Sequence, residues 1–125
     1  MKNIKSTLQK FIKDFPIKVG VPYIGMILYG SYTHGTAKKD SDIDVLVITD
    51  NNQKKMFRGV LNYDGIDIEF FVRNINDLIL SSINNINYHS NASVVSISNG
   101  TIINGDKTLI SNLQQMIMLN TKKVL

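Results

Sequence analysis

The chain is 125 residues long, 43% hydrophobic and 19% charged, which suits one globular domain over residues 1–125 with a core of its own. It has no cysteine, which excludes disulfides, thiolate catalysis and cysteine-based zinc sites. The net charge of +4 comes almost wholly from lysine, Arg58 and Arg73 being the two arginines; it attracts phosphate-bearing ligands, but without a basic run a nucleic-acid partner is not expected.

The N-terminus lacks the apolar run of a signal peptide, and no stretch is long enough to span a bilayer. A cytoplasmic protein without membrane contact is therefore expected, and the sequons at Asn91 and Asn99 then carry no meaning.

Ile4, Leu8, Phe11, Ile12 and Phe15 recur at helical spacing with lysines on the other side, so a first amphipathic helix is expected, stopped by Pro16. Residues 23–29 are apolar on both faces and end at Gly30, the pattern of a buried strand. Residues 31–37 are polar and glycine-punctuated, which suits a turn or the start of a short helix. Residues 43–49 form the clearest strand of the chain, closed by the turn signal Asp50-Asn51-Asn52.

Residues 54–63 and 66–72 are separated by Asp64-Gly65, a strong hairpin signal. The second of these strands alternates, with Asp67, Glu69 and Phe71 on one face and Ile66, Ile68, Phe70 and Val72 on the other. Asn74 or Asn76 can cap a helix running through Ile75, Leu78, Ile79, Ile83 and Ile86. A further helical stretch over 92–97, a short strand over 100–105 and a last amphipathic helix from Asp106 through Ile117 complete the reading. The fold class is α+β, a mixed or antiparallel sheet flanked by helices with the site at one end.

The chemistry concentrates between Gly30 and Asp44. Gly30 lets backbone approach a phosphate closely, and Ser31 offers a hydroxyl and an N–H to it. Asp42 and Asp44, two apart on a strand, point the same way and present hard oxygen ligands suited to a divalent metal. Asp67, on a neighbouring strand, adds a third carboxylate, with Glu69 as the substitute if the register differs. Ser41, Lys38 and Lys39 lie close enough in sequence to reach phosphates. Carboxylates packed this closely repel each other until a cation joins them.

Two other motifs fail. The Gly30-to-Gly35 spacing lacks the lysine of a P-loop, and the run Asp40, Asp42, Asp44 has Val45 where a calcium loop needs glycine. His34 and His89 have no assignable role.

The Gly30-Ser31 turn, the Asp42-x-Asp44 pair entering an apolar strand and the later Ile66-Asp67-Ile68 together resemble the nucleotidyltransferase superfamily that includes DNA polymerase β, and its minimal bacterial members in particular. The resemblance is strong over residues 24–72 and weaker to 113. It implies transfer of a nucleoside monophosphate, AMP from ATP, to an acceptor hydroxyl. It implies two Mg²⁺ ions, or Mn²⁺ in their place, held by Asp42, Asp44 and Asp67, with nucleotide contacts from Gly30, Ser31 and Ser41. Asp67 also helps deprotonate the nucleophile. Minimal members pair with a helical protein of the HEPN class, in which the nucleotidyltransferase acts as an antitoxin by adenylylating a tyrosine. A contact-only antitoxin and an aminoglycoside-type enzyme completed by a homo-oligomer remain as alternatives.

Overall fold

The computed structural model describes residues 4–30, 42–84 and 97–122. Five strands form one sheet: β1 (Gly25–Tyr29), β2 (Ile43–Thr49), β3 (Phe57–Tyr63), β4 (Ile66–Asn74) and β5 (Thr101–Gly105). Their order is β3-β4-β2-β1-β5. Only β2 and β4 run parallel; the other neighbours are antiparallel, so the sheet is mixed. Helices α1 (Ile4–Lys18), α2 (Ile75–Asn84) and α3 (Lys107–Lys122) complete the α+β architecture.

Alternation along the strands divides the core. Met26, Leu28, Ile43, Val45, Val47, Ile68, Phe70 and Val72 point to one face, where Leu8, Phe11 and Phe15 of α1 cover them. Ile27, Leu46 and Ile48 point to the other, against Leu78 of α2 and Ile110, Leu113 and Ile117 of α3. Phe11, Phe15 and Phe57 surround the Phe70 ring at centroid distances of 5.6–6.4 Å. The Phe70 ring can lie there because Gly59, its cross-strand partner, has no Cβ: one added at Gly59 would come within 2.6 Å of the ring.

The caps follow the sequence chemistry. Asn74 caps α2 by accepting from the Asp77 N–H at 2.8 Å, and Asp106 caps α3 by accepting from the Leu109 N–H at 3.1 Å. Asp64 and Gly65 both take positive φ, 53° and 85°, as a two-residue hairpin turn of this twist requires. One expectation is corrected. Pro16 lies inside α1, which continues to Lys18. Proline keeps a helical φ, though it removes its own N–H and crowds the carbonyl four residues back, and the buried Phe15 ring holds the last turn on the sheet. Gly20, at φ 74°, ends the helix with its N–H on the Phe15 carbonyl. The stretches expected over 31–37 and 92–96 lie outside the described residues.

Tyr63 straps α1 to the hairpin by donating its hydroxyl to Asp14 at 2.9 Å. This bond is the main cause holding the Asp14 carboxyl below its ordinary value of 3.8; burial and the Asp14 charge push the Tyr63 phenol above its ordinary 10.0. A depressed acid stabilises the fold above its unfolded pKa, and a raised phenol stabilises it below its own. The Tyr63→Phe variant should therefore melt below wild type by a constant margin from about pH 5 to pH 9. That margin should shrink as pH falls through the Asp14 titration or rises past the unfolded phenol. Thermal melts across pH check it.

Candidate active site

On the sheet face that carries α2 and α3, the strand registers lay the site out in rows. Val60, Glu69, Asp44 and Tyr29 stand side by side on β3, β4, β2 and β1. One step inward along the same face are Arg58, Phe71, Leu46 and Ile27. One step outward, Asn62 pairs with Asp67, while Asp42 immediately precedes β2. Among the described residues the helices pack over the inner rows, and the carboxylates stand beyond them, Asp42 exposed and Asp44, Asp67 and Glu69 half-buried.

Gly30 fixes the site's β1 side. It takes φ 84°, a conformation costly for any residue with a Cβ, and a Cβ there would lie 2.7 Å from Asp44 Oδ2. The glycine is thus needed both for its backbone angle and for the carboxylate resting on it.

Asp44 is half-buried, and its carboxyl is pushed above the usual range. Burial is the main cause, followed by the charges of Glu69 and Asp42 and a hydrogen bond with Glu69. The neighbouring Tyr29 phenol is pushed up to about 12 by burial and by the Asp44 and Glu69 charges. Asp67 is held differently, its Oδ1 accepting from Asn62 Nδ2 at 2.7 Å. Among the described residues no basic side chain forms an ion pair with Asp42, Asp44, Asp67 or Glu69.

The structure therefore brings Asp42, Asp44 and Glu69 together electrostatically and sets Asp67 at the outer rim beside Asn62. Among the described residues no three carboxylates already converge on one point. The donor set nonetheless fits a hard divalent cation. It is all oxygen, it has no ion-paired countercharge among the described residues, and the Asp44 carboxyl is pushed up by burial and by the neighbouring Glu69 and Asp42 charges. Ser31, Ser41, Lys38, Lys39 and both histidines lie outside the described residues.

Inward from the carboxylates a cleft of about 430 Å³ opens between the sheet and α2. Tyr29, Leu46, Met56, Arg58, Phe71 and Arg73 are among its lining residues. The Arg58 guanidinium lies 4.7 Å over the Phe71 ring. Arg73 is tied to α2, its Nε donating to Asp77 at 3.0 Å and its Nη2 to Ser81 at 2.9 Å. Sequence reasoning missed this cleft. The alternation that marks Asp67 and Glu69 continues to Phe71 and Arg73, and that was the available signal.

The chain belongs to the nucleotidyltransferase domain family, whose model matches residues 8–102. It is 37% identical over 93 residues to a Methanocaldococcus jannaschii protein that carries the provisional name protein adenylyltransferase MJ1305. That match covers 66% of this chain and 63% of the relative's length. The fold is similar to a nucleotidyltransferase-like protein from Exiguobacterium sibiricum, with a TM-score of 0.65 at 16% identity, covering 93% of this chain and 39% of that one. It is also similar to a chain in the crystal structure of a toxin–antitoxin with AMP-PNP, with a TM-score of 0.53 at 14% identity, covering 96% of this chain and 88% of that one. Among the described residues no helix is long and apolar enough to cross a membrane.

Proposed function

We propose that this chain transfers AMP from ATP to a hydroxyl on a partner protein, a tyrosine of a HEPN-type helical toxin being the specific acceptor. The observation that carries the reading is Gly30 packed against Asp44 at the outer end of a face that also bears Asp42, Asp67 and Glu69. Membership of the nucleotidyltransferase family supports the reaction class, and the likenesses to a named protein adenylyltransferase and to a toxin–antitoxin structure support the acceptor.

In the reaction the acceptor oxygen attacks the α-phosphorus and forms a new P–O bond. The bond from that phosphorus to the oxygen bridging toward the β-phosphate breaks, and pyrophosphate leaves. The acceptor proton passes to a carboxylate, Asp67 in this reading, with Glu69 as the substitute. Asp42, Asp44 and Asp67 would hold the divalent ions, two Mg²⁺ or Mn²⁺, which supply charge neutralisation on the phosphates. Gly30, Ser31 and Ser41 receive the nucleotide. Residues 1–125 act in this reading as one catalytic domain.

Incubation with α-labelled ATP, Mg²⁺ and lysate from the source cell tests this. One labelled protein band is expected, absent with Asp42→Asn/Asp44→Asn. An unlabelled lysate with the partner shown present would favour a contact-only antitoxin, and label on an added aminoglycoside would favour small-molecule modification. Asp67→Asn is expected to lower turnover by roughly 10²-fold, the contribution of a positioned base, without weakening ATP binding. If Glu69→Gln does this and Asp67→Asn does not, the base is Glu69.

A further inference from the structure

A nucleotide whose α-phosphate is held at the carboxylates must place its base a fixed distance away, and the strand register measures where. Side chains on one face of a strand recur every second residue, about 7 Å apart, which is roughly the span of the ribose between an α-phosphate and its base. From Asp44 and Glu69 that step leads inward to Leu46 and Phe71, with Arg58 beside Phe71 on β3. The cleft of about 430 Å³ lies there. Tyr29, level with Asp44, is part of its lining, so the cleft reaches the carboxylate row. An attacking tyrosine would not fill it, because its ring adjoins its own oxygen and would stop at that row.

The lining suits a flat, uncharged group with a polar edge. Leu46, Met56 and Phe71 supply apolar wall. The exposed Arg58 guanidinium lies 4.7 Å over the Phe71 ring, and a guanidinium held this way offers its other side to a second planar π system. Arg73 and Asp77 cancel each other's charge. The bonds between them all fall on Asp77 Oδ2, so among the described residues Asp77 Oδ1 and Arg73 Nη1 carry none and can meet the donors and acceptors of a base edge. An aliphatic side chain would leave those groups unmet. An anion in the cleft would face Asp44 and Glu69 one row away, with Asp42 and Asp67 beyond them, whereas a neutral base is indifferent to them.

We infer that this cleft seats the nucleobase of the donor nucleotide, stacked on the Arg58–Phe71 pair, while the phosphates lie at the carboxylates and Gly30. This rests on the reading above that the chain binds a nucleoside triphosphate for transfer. It gives Arg58 a base-binding role that no motif of the sequence assigns.

The test is equilibrium binding by calorimetry, with Mg²⁺ and the whole chain. The ligands are a non-hydrolysable ATP analogue and ribose 5-triphosphate, which has the same sugar and phosphates without the base. Wild type is expected to bind the ATP analogue roughly tenfold tighter. Arg58→Ala and Phe71→Leu should each erase most of that advantage and leave ribose 5-triphosphate binding unchanged. Arg58 is exposed, so Arg58→Ala keeps the test decisive even where Phe71→Leu fails to fold; melting curves check both.

Equal wild-type affinity for the two ligands would overturn the inference. So would an equal loss of both in Arg58→Ala, which would make Arg58 a phosphate ligand. A tyrosine peptide that loses affinity in Arg58→Ala while the ATP analogue does not would also overturn it, by giving the cleft to the acceptor. Base-dependent binding through Arg58 without label transfer to any acceptor would uphold the seat and sink the transferase reading. Label transfer with ATP-analogue affinity indifferent to Arg58 and Phe71 would do the reverse.

Discussion

Asp44→Asn is expected to abolish nucleotidyl transfer and, at neutral pH, to raise the stability of the fold. Asp44 stands between Asp42 and Glu69, level with Tyr29, and accepts no described cation. In the proposed reaction, removing its charge would take away a ligand for the phosphate-neutralising ions, and the expected loss is on the order of 10³-fold, as when one oriented electrostatic element is deleted. The effect on stability has the opposite sign. A carboxyl whose folded pKa is raised stabilises the native state below its unfolded pKa, and that contribution is lost as pH rises through the folded value. Asparagine carries no such charge and can still donate to Glu69. The variant should melt above wild type at pH 7, and the gain should vanish toward pH 3. Melting that is lower at pH 7 would show that Asp44 serves the fold rather than the reaction.

Gly30→Ala should cost both activity and stability. A Cβ at φ 84° is strained by roughly 1 kcal/mol before any contact is counted. The 2.7 Å approach to Asp44 Oδ2 must then be relieved by moving the carboxylate or the turn. Displacement of a reacting group by about 1 Å typically costs about 10²-fold in rate, and that loss is expected in labelled transfer at saturating ATP. Alanine at Gly65, also at positive φ but in the exposed hairpin turn, is the control: it should cost stability alone.

Much of the fold could be read from the sequence because period and punctuation coincide. The strand over 43–49 and the Asp64-Gly65 hairpin are found where alternation and turn chemistry place them. The end of α1 was misread, because proline was weighed against helical hydrogen bonding alone and the burial of Phe15 was not visible. Strand order was also hidden. Nothing local states that β2 pairs with β4 across the intervening β3, and that register sets Glu69 opposite Asp44 and Asp67 beyond it. The carboxylates were therefore legible as a set but not as neighbours. The cleft was less legible still, since its walls come from β1, β2, β3, β4 and α2, brought together only by tertiary packing.

The β2–β4 register also bears on how the chain folds. It joins residues about 25 apart in sequence, and it is the pairing that presses like charges together. The β3–β4 hairpin closes locally and fast, whereas the parallel contact carries a larger entropic cost and an electrostatic one besides. The rate-limiting step of folding should thus be the docking of β2 onto a preformed hairpin. Refolding should quicken with added salt at pH 7, where screening eases the repulsion, and respond little to it near pH 3. The charge cluster that suits the site to a cation also sets the speed at which the sheet closes.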